Sequence, residues 1–245
     1  MNRRQLTLSF ALSALAALPW VAHAQSAPKP HSFSFPPSMR MAYDFEGIIS
    51  SPYTGSAELV WQRDGDAYVT QLFIRKFGLN LQTWTSKGSV TAQGLTPDSF
   101  VSKRIGSSEV NAQFLRPQGQ IKFSANTPDA VLRAGAQDQL SVFLQLAGLL
   151  AAEPRQWSTG KTITFQAVGD RYAEEWTFEA SAQESVKLAS GTVPSTKFTH
   201  APTAERSQKL ELWYGPSAGY LPLRIRITES NGDFLDLLWT GSPKA

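Results

Sequence analysis

One stretch of this chain has the form of a catalytic centre. Gly215-Pro216-Ser217-Ala218-Gly219 is a literal G-x-S-x-G, the string that marks the nucleophile of many serine hydrolases. There the Ser sits on a sharp turn between a strand and a helix, and an acid and then a His come later in the chain. Here "KLELWY" (209–214) supplies the strand before the turn. The segment after the turn is a second strand: in "YLPLRIRITES", Leu223, Ile225 and Ile227 alternate with Arg224, Arg226 and Thr228. Pro222 would disrupt a helix interior, and no His lies beyond Ser217. The segment therefore reads as a hairpin turn, and the chain is not expected to be an enzyme.

Other polar residues are candidates for binding rather than catalysis. Gln145 lies in an apolar segment, where a buried amide must find hydrogen-bond partners; those partners are either sheet backbone or a ligand. Arg224 and Arg226 share one face of their strand. They form a solvated stripe if that face is exposed, or hold an anionic headgroup by bidentate hydrogen bonds if it lines a barrel mouth. Asp138 suits a helix N-cap. Glu46, Glu58 and the pair Glu174-Glu175 read as solvated edge residues, because neighbouring side chains on a strand point to opposite faces. The chain has three His and no Cys, which removes disulfides, thiol nucleophiles and zinc-thiolate sites. No calcium loop, phosphate loop or G-x-G-x-x-G is present, so no metal site and no cofactor is expected.

The framework that holds these residues is set by the pattern along the chain. Residues 1–24 read as a signal peptide: Arg3 and Arg4, an apolar run from Leu6, and the small-residue site Ala22-His23-Ala24, with cleavage expected between Ala24 and Gln25. The apolar run is shorter than the roughly 20 residues a membrane span needs. No integral membrane segment is expected in the mature chain, and without Cys it cannot be a lipoprotein. The expected location is periplasmic. Losing Arg3 and Arg4 lowers Lys plus Arg from 23 to 21 against 20 acidic residues, a net charge of +1, and no basic run remains to track nucleic acid. Residues 25–37, "QSAPKPHSFSFPP", are rich in Pro and Ser and read as a flexible leader. That leaves 38–245 as a single β-rich domain.

Within it, period-2 alternation dominates. Met41, Tyr43 and Phe45 face one way; Asp64-Gly65, "RPQG" (116–119) and "SNGD" (230–233) mark hairpin turns. About a dozen strands at short spacing imply a strongly curved, partly closed antiparallel sheet, a half-barrel. One segment departs from this. "AQDQLSVFLQLAGLLAAEP" (136–154) is apolar around most of a helical wheel. A helix of that kind is buried, and it is expected to pack in the concave face of the sheet, ending at Pro154.

Three stretches, "GLTPDSF" (94–100), "AQDQLSVFLQLAGLL" (136–150) and "GYLPLRIRITESNGD" (219–233), together resemble the bacterial exported family known as domain of unknown function 3108. The resemblance runs from about Pro36 to Ser242. It implies export and architecture and carries no activity over. A helix within a curved sheet is also similar in outline to Lol-type periplasmic lipoprotein carriers, whose half-open barrel holds acyl chains; that likeness is an analogy of architecture.

Two functions from different classes are therefore expected. One is a non-enzymatic periplasmic protein that binds or carries an apolar, lipid-like molecule. The alternative is a structural or interaction module of the cell envelope whose sheet and helix form a closed core. A cavity separates them, since a carrier needs roughly 300 Å³ or more of apolar space.

Overall fold

The computed structural model describes residues 31–48, 51–203 and 208–244. The expected signal peptide and its cleavage site at Ala24 and Gln25 lie outside the described residues.

The alternating segments form strands of one large, almost wholly antiparallel sheet. Its first half comprises β1 (Met39–Ile48), β2 (Pro52–Asp64), β3 (Ala67–Lys76), β4 (Leu79–Thr91), β5 (Gly94–Arg104), β6 (Val110–Leu115), β7 (Gln120–Phe123) and β8 (Ala130–Val131). The second half comprises β9 (Gln137–Asp138), β10 (Thr162–Val168), β11 (Ala173–Ala180), β12 (Glu184–Leu188), β13 (Gly191–His200), β14 (Lys209–Tyr214), β15 (Pro222–Thr228) and β16 (Phe234–Lys244). Among the described residues one α-helix is present, α1 (Ser141–Ala152), between β9 and β10.

Strands pair in the order 8-7-6-5-4-3-2-1-16-15-14-13-11-10-9, with β12 folded onto β13. The long strands β1 and β16 meet at the centre of this path, with Tyr43 opposite Trp239 and Phe45 opposite Leu237. Their inward residues Met41, Tyr43, Phe45, Leu237 and Trp239 are buried, so period 2 sets the concave face as the alternation requires. Three of the expected turns are present. Gly65 (φ 55), Gly119 (φ 63) and Gly232 (φ 89) each take the left-handed conformation that a tight connection needs.

The backbone ladder does not close, and side chains bridge the gap. Near the β8 end, Gln166 of β10 donates from Nε2 to the Val131 carbonyl (2.8 Å) while its Oε1 accepts the Arg133 N–H (2.8 Å). The amide thus bonds across the seam as a strand's own backbone would. A small apolar cluster of Phe114, Ile121 and Phe123 against Ala136 and Val168 seals the inner side.

The helix is shorter than the expected span of 136–154. Its first residues are drawn elsewhere: Gln137 and Asp138 pair parallel with Ala167 and Val168 on the edge of β10. Every residue from Ser141 to Leu150 is buried, and Leu144 is fully so. The leader also differs from expectation. Residues 31–37 are not a free linker: Phe33 and Phe35 pack on the core, the Ser34 N–H donates to the Gly148 carbonyl (3.0 Å), and Trp61 Nε1–H donates to the Pro36 carbonyl (3.0 Å). Gly148 has no side chain because the Phe35 ring occupies that space; an added Cβ would lie 2.5 Å from it. The strap therefore pins α1 from outside.

Candidate ligand cavity and the polar groups around it

The G-x-S-x-G stretch is a turn. Pro216–Ala218 make one 3-10 turn, Gly219 comes next at φ 59, and β14 and β15 run antiparallel on either side. Ser217 is exposed at its tip. His200 is buried in β13, its Nδ1 3.1 Å from the Thr177 carbonyl.

The helix fills only one end of the barrel. At that end its Gln145 Oε1 accepts the Leu95 N–H (2.7 Å) and its Nε2 donates to the Gln93 carbonyl (3.2 Å). The carboxamide thus holds the β4–β5 turn, the backbone alternative of the two considered for it, and both its ends are engaged. Gly94 sits between those partners at φ +92, and an added Cβ would lie 2.4 Å from the Gln145 amide.

Asp138 caps the helix without being its formal N-cap residue. Its Oδ1 accepts the Leu140 N–H (2.9 Å) and the Ser141 N–H (2.7 Å), satisfying two of the orphan donors of a helix start. Its Oδ2 accepts the Ser86 hydroxyl, which is 2.9 Å from the Tyr68 hydroxyl. All of these side chains are buried. Removal from water raises the Asp138 carboxyl to about 6, against the opposing pull of its hydrogen bonds. The Tyr68 phenol is raised well above its ordinary value, first by burial and then by the Asp138 charge.

Beyond Phe143 the barrel interior is not filled. A cavity of about 590 Å³ opens there. One wall is Leu72 and Ile74 of β3 with Leu81 and Trp84 of β4; the opposite wall is Leu210 of β14, Ile225 and Ile227 of β15, and Leu237 of β16. Phe143, Gln139 and Trp176 contribute from the helix side, and Gln82, Arg104, Gln208 and Glu229 add polar groups. The space is thus apolar along its walls, with a small number of polar side chains, as small-molecule sites are.

Arg224 and Arg226 do not reach it. They stand on the convex face of β15, opposite Ile225 and Ile227, as the alternation dictates. Asp236 accepts from Arg224 Nε (2.8 Å) and from Arg226 Nη1 (2.7 Å). The Arg224 guanidinium also lies over the Trp213 ring at 4.7 Å, and its hydrogen bonds to Asp236 raise its pKa. A headgroup role for these two in the apolar cavity is thus not what the geometry offers; the Arg pair neutralises a carboxylate under the β12 hairpin. Arg224 and Asp236 instead wall a charged outer groove of about 750 Å³, with Asp44, Glu46 and Lys187.

Three structural features are absent from the pattern-based expectations. The strap's signal is present in "SFSF", two Phe at strand spacing within a Pro/Ser-rich run. Gln166 and the buried Ser86 have no such signal, because only the folded topology brings the two sheet edges together and places Ser86 against Asp138.

Known proteins bear on the fold. A β-barrel-like protein of the domain of unknown function DUF1849 from Brucella abortus aligns with a TM-score of 0.53 at 11% identity, covering 85% of this chain and 97% of that one. A "putative outer membrane lipoprotein-sorting protein domain" from Vibrio parahaemolyticus aligns with a TM-score of 0.30 at 8% identity, covering 85% of each chain. No curated protein matches the chain by sequence. Residues 41–237 match the family model described as protein of unknown function (DUF3108), and with four fifths of its length inside that match the chain belongs to the DUF3108 family.

Proposed function

We propose that this protein is an exported, non-catalytic carrier that holds an apolar, lipid-like molecule in the barrel end left open by its helix. The observation behind this reading is the cavity of about 590 Å³, well above the roughly 300 Å³ a small-molecule site needs. A purely structural module has no reason to leave it. Packing that space with larger side chains would bury more apolar area, and each buried methylene is worth about 0.8 kcal/mol.

The non-catalytic reading draws support from the polar groups themselves. Ser217 sits on an exposed hairpin tip, and the two oxygens of Asp138 are occupied by the helix start and by Ser86. Export rests on the basic, then apolar, then small-residue pattern of residues 1–24. Among the described residues no helix is long and apolar enough to cross a membrane.

Native mass spectrometry of the protein isolated from its own cells tests the carrier. A species heavier than the chain by one lipid mass, lost on organic extraction, is the expected result. An apo mass alone, with no binding when extracted envelope lipid is added back, contradicts the reading.

A further inference from the structure

The open end of the barrel carries a second feature that the cavity does not explain. The described residues include five exposed large hydrophobics: Phe77 at 92%, Val131 at 74%, Leu79 at 58%, Ile105 at 51% and Ile48 at 42% exposure. Four of them belong to one rim. Ile48 ends β1 opposite Pro52. Lys76 reaches across from β3, its Nζ 4.2 Å from the Tyr53 ring centre and 5.3 Å from that of Phe77. Leu79 pairs with Lys76 at the foot of the β3–β4 turn, and the Ile105 N–H donates to the Leu81 carbonyl (2.9 Å). Tyr53, Leu81 and Ile105 also line the cavity. The exposed apolar rim is therefore continuous with the cavity wall.

Phe77 is held there by its backbone. Its φ is 51, a conformation that costs a bulky residue energy and that Gly or Asn would take more readily. A phenyl ring kept in that conformation and in water is unfavourable twice over unless something covers it.

The charges around this lip are mainly cationic. Lys76, Lys103 and Arg104 lie on it, and no described carboxylate is within ion-pair distance of them. Lys103 Nζ donates only to the Ser107 carbonyl (3.0 Å), and Arg104 Nε lies 3.4 Å from Gln82 Oε1. Glu109 is an exposed carboxylate at the far end of the same β5–β6 turn, while Glu229 and Asp233 border the cavity from the β15–β16 side. Apart from Glu109, the basic groups are thus on the β3–β5 side of the mouth and the acidic ones on the β15–β16 side.

We infer that the β3–β4 and β5–β6 turns form a docking lip for an anionic lipid bilayer, with Phe77, Leu79 and Ile105 entering the interface and Lys76, Lys103 and Arg104 facing headgroup phosphates. Exposed apolar side chains ringed by cations are what binding at such an interface requires. Glu229 and Asp233 border the mouth on its other side, so the lip meets the bilayer with the basic side of the mouth. The purpose of this surface rests on the carrier reading; its measurement does not.

The test is co-sedimentation of the purified protein with phosphatidylglycerol–phosphatidylcholine vesicles and with phosphatidylcholine vesicles alone. Binding to the anionic vesicles is expected. Phe77→Asp should lower the partition coefficient roughly tenfold or more, from the lost apolar burial. Asp accepts positive φ better than Phe, so this variant should fold. Lys103→Glu should weaken binding several-fold, and only on anionic vesicles. Ser217→Asp, at the plugged end of the barrel, should leave binding unchanged. A wild-type protein that ignores anionic vesicles, or a Phe77→Asp variant that sediments like wild type, overturns the docking lip; the first result would turn the rim over to a protein partner. A dansyl-labelled fatty acid titrated into the same samples separates the two readings. If it binds while vesicles do not, only the lip fails. If vesicle binding depends on Phe77 but no variant takes the fatty acid, the lip stands and the carrier fails.

Discussion

The two ends of this barrel share a sheet and differ in what fills it. At the plugged end α1, the strap 31–37 and the β4–β5 turn are locked together, and the two side chains that hold them find partners inside: Gln145 in backbone, Asp138 in two amides and a hydroxyl. At the open end the walls are as apolar, but no described element of the chain enters. The contrast shows that the helix is a stopper rather than a lid. It sets the depth of the cavity through Phe143 and is itself fixed in place, down to the Tyr214 hydroxyl that donates to the Phe143 carbonyl (3.0 Å).

Breaking the plug should therefore cost stability, and the largest effect belongs to Leu144. Leu144→Ala should lose about 2–5 kcal/mol to the deleted methyl groups and the void they leave, against a total near 5–15 kcal/mol. Leu144→Asp should prevent folding, because a buried unpaired charge cannot be hydrated. Denaturant melts measure both. A small shift for Leu144→Ala accompanied by weaker ligand binding would make the helix a mobile lid instead.

The next effect is a pH dependence at the same end. The folded Asp138 value, about 6, lies above the ordinary 3.8, so the folded protein binds the extra proton between those values. Stability from this group is full below about pH 4 and is lost as pH rises through 6. Between about pH 7.5 and pH 5 the wild type should gain on the order of 1–2 kcal/mol relative to Asp138→Asn, taking about 1.4 kcal/mol per unit. The Asn keeps an oxygen for Leu140 and Ser141. Parallel pH dependences in the two proteins would show that the buried carboxyl does not take up the proton.

Gly94→Ala probes how tightly the plug is seated. It places a side chain at φ +92 and forces the Gln145 amide aside, which should cost about 1–3 kcal/mol; an unchanged melting midpoint would show that the turn has room to move. The smallest effect is Ser217→Ala, expected within about 0.5 kcal/mol as for other exposed positions. A fluorophosphonate that labels Ser217 in the folded protein would instead revive the hydrolase.

The difference between the ends also marks what the sequence makes legible. Alternation in "RMAYDFEGII" and "YLPLRIRITES" tells which side chains face inward, and the structure agrees for Met41, Tyr43, Phe45, Leu223 and Ile225, all buried. The all-round apolar wheel of α1 announces burial. Neither pattern tells whether inward space is filled, because Ile225 reads the same against a helix as against a void. Arg224 and Arg226 fall on the face the alternation assigns them, but their partner Asp236 comes from a strand register that only the fold supplies. Composition misleads at 31–37, where Pro and Ser suggest a linker and Phe33 and Phe35 carry the packing.

If the empty end of the barrel holds a ligand, filling that end must weaken binding without harming the fold. Ile227 is half-buried on the cavity wall, so Ile227→Trp adds volume to open space rather than to a packed core. The measurement is titration of a dansyl-labelled fatty acid into wild type and Ile227→Trp, with melting midpoints recorded alongside. Saturable binding to wild type is expected, with at least tenfold weaker binding to a variant that is as stable or more so. Equal binding by both proteins, with the variant still folded, would contradict a ligand site in the cavity.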